Sequence, residues 1–244
     1  MTLAEHITVL VPTSPIPSHP STAIIDATLE SLDCAGLGEC QVIVMADGVR
    51  TEQADRASDY ASYLARLVMG GANLYAAPEF LHQAEMTRRA LEQVATPLIL
   101  FVEHDTPLTG EIPWLSMCAA IESGDADVVR LHHEAAILEP HRYLTAGRRR
   151  NVHGVPLVAT AQWSQRPHLA SAEWYRWMLD TYFGPHARTM IEDRIYSEIA
   201  TPWVERREWG KVCKLWMYAP TEGSWKRSEH LDGRAGDDKF EMTW

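Results

Sequence analysis

The chain has 244 residues, of which 46% are hydrophobic and 23% are charged, and its formal net charge is −11. These values are typical of one globular domain of fair size, and the negative charge gives no general attraction for nucleic acid or an anionic membrane. The sequence offers neither a signal peptide nor the roughly 18 apolar residues that span a bilayer, and its four cysteines lack CxxC spacing, so we expect a cytoplasmic protein with reduced thiols.

The first half of the sequence alternates between apolar runs and segments with helical spacing. The predicted strands are 7–11, 41–45, 73–76, 97–102 and 127–131. The predicted helices between them are 23–32, 52–69, 82–94 and 114–123. This order predicts an α/β fold with a Rossmann-like, mostly parallel central sheet and helices on both faces.

The second half is less regular. Two extended segments are predicted around a turn at 153–160 and 161–166, and a late strand at 214–218. Two helices are predicted at 172–182 and 187–198, and a polar tail occupies 233–244. His132, His133 and Glu134 follow the strand at 127–131 and indicate a polar pocket at that edge of the sheet.

The most informative feature is the end of the strand at 97–102. Its continuous apolar run is typical of a strand buried on both faces, and it stops at Glu103, His104 and Asp105. Ligands of open α/β sheets bind outside the carboxyl ends of the strands, and carboxylates there can hold a divalent cation that in turn holds phosphates. An ordinary polar strand end is the alternative, and the motif alone favours it.

Four motifs in order resemble the nucleotide-sugar-dependent glycosyltransferases of the GT-A fold. They are Ile-Thr-Val-Leu-Val-Pro-Thr at 7–13, Val-Met-Ala-Asp-Gly at 44–48, Glu-His-Asp at 103–105 and Ile-Glu-Asp-Arg at 191–194. The chain is similar to small family-two members, of a short actinobacterial or phage-encoded type, over roughly residues 7–232. The resemblance implies one GT-A-like domain over 1–244, with a nucleotide-sugar-binding half at 1–131, an acceptor and catalytic half at 132–232, and a tail.

The resemblance also implies a Mn²⁺ or Mg²⁺ ion that neutralises the charge of the departing diphosphate. Asp105 is the first candidate for a direct ligand, and Glu103 would bind the metal through water or bind the ribose. His230 would close over the metal from the C-terminal segment, with Lys226 and Arg227 on the phosphates. An exposed histidine in a polar tail is an equally good interpretation of His230.

For the nucleotide, the resemblance implies that Asp47 accepts a hydrogen bond from the base, most often uracil. Pro12, Thr13 and Ser14 would wrap the base and the ribose. A simple turn at Asp47 and Gly48 is the alternative that the residues alone favour. The other candidates for the nucleotide, its phosphates or the sugar are His82, Gln83, Arg88, His104, Arg166 and His168. His104 could instead point away from the site, because alternate residues of a strand face opposite sides.

The catalytic base is expected in the predicted helix at 187–198. An inverting transferase needs a carboxylate to take the proton of the acceptor hydroxyl. We predict Asp193 as the base, with Glu192 orienting it or binding the acceptor. The alternative is an acidic pair that only stabilises a solvated helix N-terminus.

The predicted activity is therefore the metal-dependent, inverting transfer of a sugar from a UDP-hexose to a hydroxyl acceptor. That acceptor could be a small molecule, a glycan or a hydroxymethylated DNA base, the last bound by a local basic groove of Arg142, Arg148, Arg149, Arg150 and Lys226. A nucleotidyltransferase is the alternative enzyme, although the loop at 12–17 lacks the glycine and lysine typical of that class. A third possibility is a binding module without turnover.

Overall fold

The computed structural model describes residues 2–231, so the predicted tail at 233–244 lies outside the described residues. The strands are β1 (Ile7–Thr13), β2 (Gln41–Ala46), β3 (Leu74–Ala76), β4 (Leu98–Phe101), β5 (Val128–Arg130), β6 (Arg150–Val152), β7 (Val155–Ala159), β8 (His168–Ser171) and β9 (Leu215–Tyr218). The α-helices are α1 (Ala23–Cys34), α2 (Ala57–Met69), α3 (His82–Leu91), α4 (Trp114–Glu122), α5 (Ala172–Tyr182) and α6 (Ile191–Arg206). Short 3₁₀ helices occupy Leu3–Glu5, Thr51–Arg56 and Glu139–Leu144.

The strands form one sheet in the order β3-β2-β1-β4-β8-β5-β9-β7-β6. β1 pairs in parallel with both β2 and β4, whereas β8 lies antiparallel between β4 and β5. β7 also runs opposite to its neighbours β9 and β6. The remaining strands share one direction, so the predicted α/β fold with a mostly parallel central sheet is confirmed.

Helices cover both faces because the central strands are apolar on both sides. All of the residues of β1 and β4 are buried. One hydrophobic cluster joins alternate residues of these strands, such as Val9 and Leu100, to α1, α2 and α4. A second cluster joins the intervening residues, such as Leu10 and Phe101, to α3, α5 and α6. The period-two alternation of each strand therefore supplies both layers of the core.

Three parts of the sequence-based prediction are wrong. Residues Thr51–Arg56, predicted as the first turns of a long helix, form a 3₁₀ helix with non-helical dihedral angles at Gln53. α6 begins at Ile191, after extended backbone at Met190, and continues past Pro202 to Arg206. β6 and β8 were not predicted, because strands of three or four residues are too short to show a period.

A search of the described helices found none with both the length and the apolar character that crossing a bilayer requires.

Candidate functional site

An open cleft of about 580 Å³ lies where β1, β2 and β4 end. It is lined by Pro12, Thr13, Ser14, Asp47, Arg50, His82, Gln83, Met86, Glu103, His104, Asp105 and Met190. The structure thus brings together, from distant parts of the sequence, the residues after the first strand, the aspartate after the second and the acidic motif after β4.

Strand register explains this convergence. Thr13 pairs with Ala46 across β1 and β2, and Leu10 pairs with Phe101 across β1 and β4. Beyond the paired residues, the N–H of Asp47 donates to Thr13 O at 3.0 Å, and the N–H of His104 donates to Pro12 O at 3.3 Å. The three chain segments therefore leave the sheet side by side at its carboxyl edge, where ligands of such sheets bind.

Asp47 holds the start of α3. Its Oδ1 accepts hydrogen bonds from the N–H groups of Gly48 and Leu81, both at 2.8 Å, and its Oδ2 accepts one from His82 at 3.0 Å. A carboxylate offers about four acceptor positions, so one remains for a ligand. Gly48 permits this approach, because a Cβ there would lie 2.2 Å from the carbonyl carbon of Glu79.

Arg50, Phe80 and His82 form a cluster at the cleft that the sequence-based prediction largely missed. The Arg50 guanidinium lies 4.5 Å from the centre of the Phe80 ring, and its Nη2 lies 3.5 Å from His82 Nε2. His82 has a φ of 63°, which is uncommon for a residue with a side chain and often marks a functional site. The only sequence signal for Arg50 was its position three residues after Asp47.

Three carboxylates surround the other end of the cleft. Burial, followed by the charges of Asp105 and Glu192, raises the pKa of Glu103 to about 8. Burial also raises the pKa of Glu192, whose Oε2 accepts a hydrogen bond of 3.0 Å from the N–H of Gln165. Repulsion between these groups makes the site favourable for a cation.

The C-terminal segment 226–231, which we call the strap, brings His230 to Asp105. The N–H of Leu231 donates to Asp105 O at 2.8 Å, and the N–H of Arg227 donates to His132 O at 2.7 Å. The strap therefore crosses the residues that follow β4 and β5, and His230 Nε2 lies 3.4 Å from Asp105 Oδ2. The exposed Lys226 ion-pairs with Glu229 at 2.7 Å.

The donor set fits a hard divalent cation that arrives with its substrate. Within residues 2–231, no three His, Cys, Asp or Glu side chains are arranged as a complete metal site. Asp105 and His230 offer two ligands, with the Glu103 carboxylate close to Asp105. Mg²⁺ commonly takes one or two carboxylates and completes its shell with water and substrate phosphates.

The N-terminus of α6 is fastened to the wall of the cleft. Gln83 Oε1 accepts a hydrogen bond of 2.9 Å from the N–H of Ile191, and the N–H of Ala84 donates to Thr189 O at 3.2 Å. Glu192, half-buried, lies towards Glu103, and Asp193 is exposed. Burial and Arg50 lower the pKa of His82, and the nearby charge of Asp193 opposes that shift. Both acids of the predicted pair therefore lie near the cleft.

A basic group lies beyond the acids, where β5 ends. Arg130 is 1% exposed and donates to Ser164 Oγ at 2.8 Å and to Gln162 Oε1 at 3.4 Å. Burial lowers its pKa to about 9, with a further contribution from Arg166. Sequence analysis missed Arg130, because an arginine within a short apolar strand gives no sign of its burial.

Two predicted nucleotide ligands lie elsewhere. Arg88 donates to Glu85 Oε2 at 2.9 Å and to Leu179 O at 2.8 Å, which joins α3 to the end of α5. His168 is buried, with Nε2 2.9 Å from Tyr175 Oη and Nδ1 2.8 Å from Arg166 O. Neither side chain lines the cleft, and the contacts of both favour a structural role.

The arginines of the predicted basic groove are exposed. Arg142 ion-pairs with Glu139 at 2.8 Å, and the Arg149 guanidinium lies 5.4 Å from the centre of the Trp225 ring. Arg148 precedes the edge strand β6, in which Arg150 is the first residue. These side chains do not line the cleft.

No protein-family model and no curated protein matches the sequence. Solved structures do match. S. aureus TarS is 15% identical, with a TM-score of 0.55, over 92% of this chain and 36% of TarS. Its fragment 1–349 in complex with UDP is 14% identical, with a TM-score of 0.52, over 92% of this chain and 60% of the fragment.

A second structure is that of GalNAc-T7 with UDP, GalNAc and Mn²⁺. It is 9% identical, with a TM-score of 0.54, over 95% of this chain and 44% of GalNAc-T7. This chain therefore spans well under two thirds of each of these proteins. TarS and GalNAc-T7 are GT-A glycosyltransferases, and at these identities the comparison concerns architecture. The resemblance drawn from the sequence is confirmed at that level: the fold of this chain is the GT-A fold.

Proposed function

We propose that this protein is a glycosyltransferase that moves a sugar from a UDP-sugar, with a UDP-hexose favoured, to a hydroxyl acceptor. The observation that carries the proposal is the juxtaposition of Asp105 and His230, 3.4 Å apart, with a cleft that also contains Asp47. The GT-A fold supports it, as do the UDP in the TarS complex and the UDP and Mn²⁺ in the GalNAc-T7 complex.

The donor would lie along the cleft. The remaining acceptor position of Asp47 would bind the base, and Pro12, Thr13 and Ser14 would line the base and the ribose. Asp105 and His230 would hold Mn²⁺ or Mg²⁺, and Glu103 would bind it through water or bind the ribose. When bound, the metal supplies positive charge that stabilises the departing diphosphate.

His104 belongs to the donor side in this proposal. It lines the cleft, and within the described residues its buried Nε2 has no hydrogen-bond partner. Its main-chain oxygen accepts a hydrogen bond of 2.7 Å from Thr28 Oγ1, which fixes the loop against α1. A donor substrate could therefore satisfy the imidazole nitrogen.

In an inverting transfer, the acceptor oxygen attacks the anomeric carbon while the bond from that carbon to the diphosphate oxygen breaks. We assign Asp193 as the base that receives the hydroxyl proton. Its neighbour Glu192 accepts a hydrogen bond from Gln165 and lies beside Glu103, which suits a positioning role. Asp193 is exposed and can face an incoming acceptor.

The hydroxymethylated DNA base stays a hypothesis for the acceptor. The arginines at 148–150 are exposed and adjacent in sequence, which supports some affinity for polyanions. A gel-shift assay over a range of salt concentrations tests it, and the absence of salt-dependent DNA binding would remove this acceptor.

The donor assignment is tested by thermal shift with UDP, GDP and dTDP, each with and without Mn²⁺. We expect the largest rise in melting temperature with UDP and Mn²⁺ together, because the metal joins the phosphates to Asp105. Asp105→Ala should remove that rise, whereas Asp59→Ala, an exposed substitution on α2, should retain it. A UDP shift that needs no metal, or that survives in Asp105→Ala, would contradict the assignment.

A further inference from the structure

We propose that the acceptor carries an anionic group, a phosphate or a carboxylate, and that Arg166 binds it beside the acids of α6. This inference rests on the proposed function and names the chemical class of its second substrate. The site is the basic group at the end of β5, which consists of Arg130, His132, His133 and Arg166.

Arg130 places an uncompensated positive charge beneath this site. No carboxylate within residues 2–231 comes within ion-pair distance of its guanidinium, and its buried Nε has no hydrogen-bond partner among those residues. Its hydrogen bonds go to neutral groups of Ser164 and Gln162. A buried charge without an ionic partner is costly, and an anion bound nearby would reduce that cost.

Arg166 is the member of the group that a ligand can reach. Its side chain is 22% exposed, and its nearest carboxylate oxygen, on Glu134, lies 3.7 Å away. Its closest contact is His132 Nδ1 at 2.7 Å. Because His132 Nε2 lies 3.0 Å from Ala136 O and must donate to it, Nδ1 is the acceptor and the ring is neutral. The guanidinium thus keeps donors for a further anion.

His133 extends the site towards the strap. Its Nδ1 lies 2.6 Å from Ser228 Oγ, and its ring lies 6.2 Å from that of His230. Burial lowers its pKa to about 4, with Arg166 contributing to the shift. The basic side therefore runs from Arg130 through Arg166 and His133 to the His230 that meets Asp105.

The position of Arg166 favours the acceptor over the donor. The donor cleft is lined by residues 12–14, 47–50, 82–86, 103–105 and 190, and Arg166 is not among them. Arg166 lies instead on the β5 side, where Glu192 and Glu134 are close enough to affect its pKa. An anion there would sit across Glu192 from the donor, which would place the acceptor's hydroxyl near the acidic pair of α6.

The test uses isothermal titration of the full protein, saturated with UDP and Mg²⁺, with inorganic phosphate and separately with acetate. We expect saturable binding of at least one anion in the millimolar range. Arg166→Gln should weaken it tenfold or more, and Arg166→Lys should weaken it less, because lysine keeps the charge but loses the forked geometry. Arg206→Gln, an exposed substitution near the end of α6, is the matched control and should bind like the wild type.

Preference for phosphate would identify a phosphorylated acceptor, and preference for acetate a carboxylated one. Binding of neither anion, or equal binding by Arg166→Gln, would overturn the proposal. So would a loss of UDP affinity in Arg166→Gln, because Arg166 would then belong to the donor site. If the wild type fails to bind UDP at all, the proposed function fails instead, and phosphate titrations without UDP show whether the Arg166 site exists independently.

Discussion

Gln83 Oε1 accepts a hydrogen bond of 2.9 Å from the backbone N–H of Ile191, although 108 residues separate them. Gln83 lines the cleft at the start of α3, and Ile191 is the first residue of α6. This bond therefore fixes the helix that carries Glu192 and Asp193 relative to the cleft. Both residues are buried, so solvent cannot readily replace either partner.

Gln83→Met should therefore affect catalysis more than donor binding. It leaves the Ile191 N–H without an acceptor, which should lower the free energy of unfolding by about 1–3 kcal/mol. A displaced α6 should reduce kcat by about 10- to 100-fold, because sub-ångström positioning matters for the base. Steady-state kinetics and urea unfolding measure both. Gln93→Met, an exposed change just beyond α3, should alter neither, and an unchanged kcat in Gln83→Met would show that the bond does not position α6.

Asp193→Asn should lower kcat by about 10²–10⁴-fold with little change in the KM for the donor, because an amide cannot accept the acceptor proton. Glu192→Gln should cause a smaller loss, since its amide oxygen can still accept from the Gln165 N–H. Glu205→Gln, an exposed change on α6, should have wild-type rates. Transfer measured by UDP release decides the matter, and a larger loss in Glu192→Gln than in Asp193→Asn would reverse the two roles.

Asp47→Ala should weaken both the fold and nucleotide binding. It removes the acceptor for three N–H groups, of which that of Leu81 is buried, so we expect a loss of about 2–4 kcal/mol in urea unfolding. Asp47→Asn should lose less stability, because the amide oxygen keeps two acceptor positions, yet it should still weaken UDP binding. Asp55→Ala, an exposed change, is the control. Full UDP affinity in Asp47→Ala would exclude contact with the base.

The protein should lose stability as the pH falls from about 6.5 to 4. Burial and the charge of Arg130 lower the pKa of His168 to about 4, from an ordinary value of 6.5. In that window the unfolded chain binds the proton and the folded protein does not, so the folded state is disfavoured, by up to about 3 kcal/mol at pH 4. Above pH 6.5 the effect is absent.

The change in slope identifies His168, whatever the overall stability of the variant. His168→Gln should reduce the proton uptake on unfolding by about one in this window, measured by urea unfolding at a series of pH values. Other buried histidines, including His19 and His133, keep part of the slope because burial lowers their pKa values as well. His141→Gln, a partly exposed change, should leave the slope unaltered, and the same slope in His168→Gln would refute the assignment.

Local patterns in the sequence were sufficient for the strands and helices of the first half and for the convergence of the motifs. β1, β2 and β4 are apolar runs that end in polar residues, and parallel strands necessarily bring those ends to one edge. Asp47, Glu103 and Asp105 could therefore be assigned to one site before any coordinates. The helix Ala172–Tyr182 was also predicted with its observed bounds.

Only the tertiary structure decided which side chains share the cleft and which are buried beneath it. His168 and Arg88 have the residue types of ligands, but packing turns them towards Tyr175 and the end of α5. Arg50 and Arg130 carried no signal in the sequence, since their roles depend on partners far away in the chain. The insertion of β8 between β4 and β5 placed Arg166 beside the acids of α6. Such long-range contacts arise from burial and hydrogen bonding, which a local period does not encode.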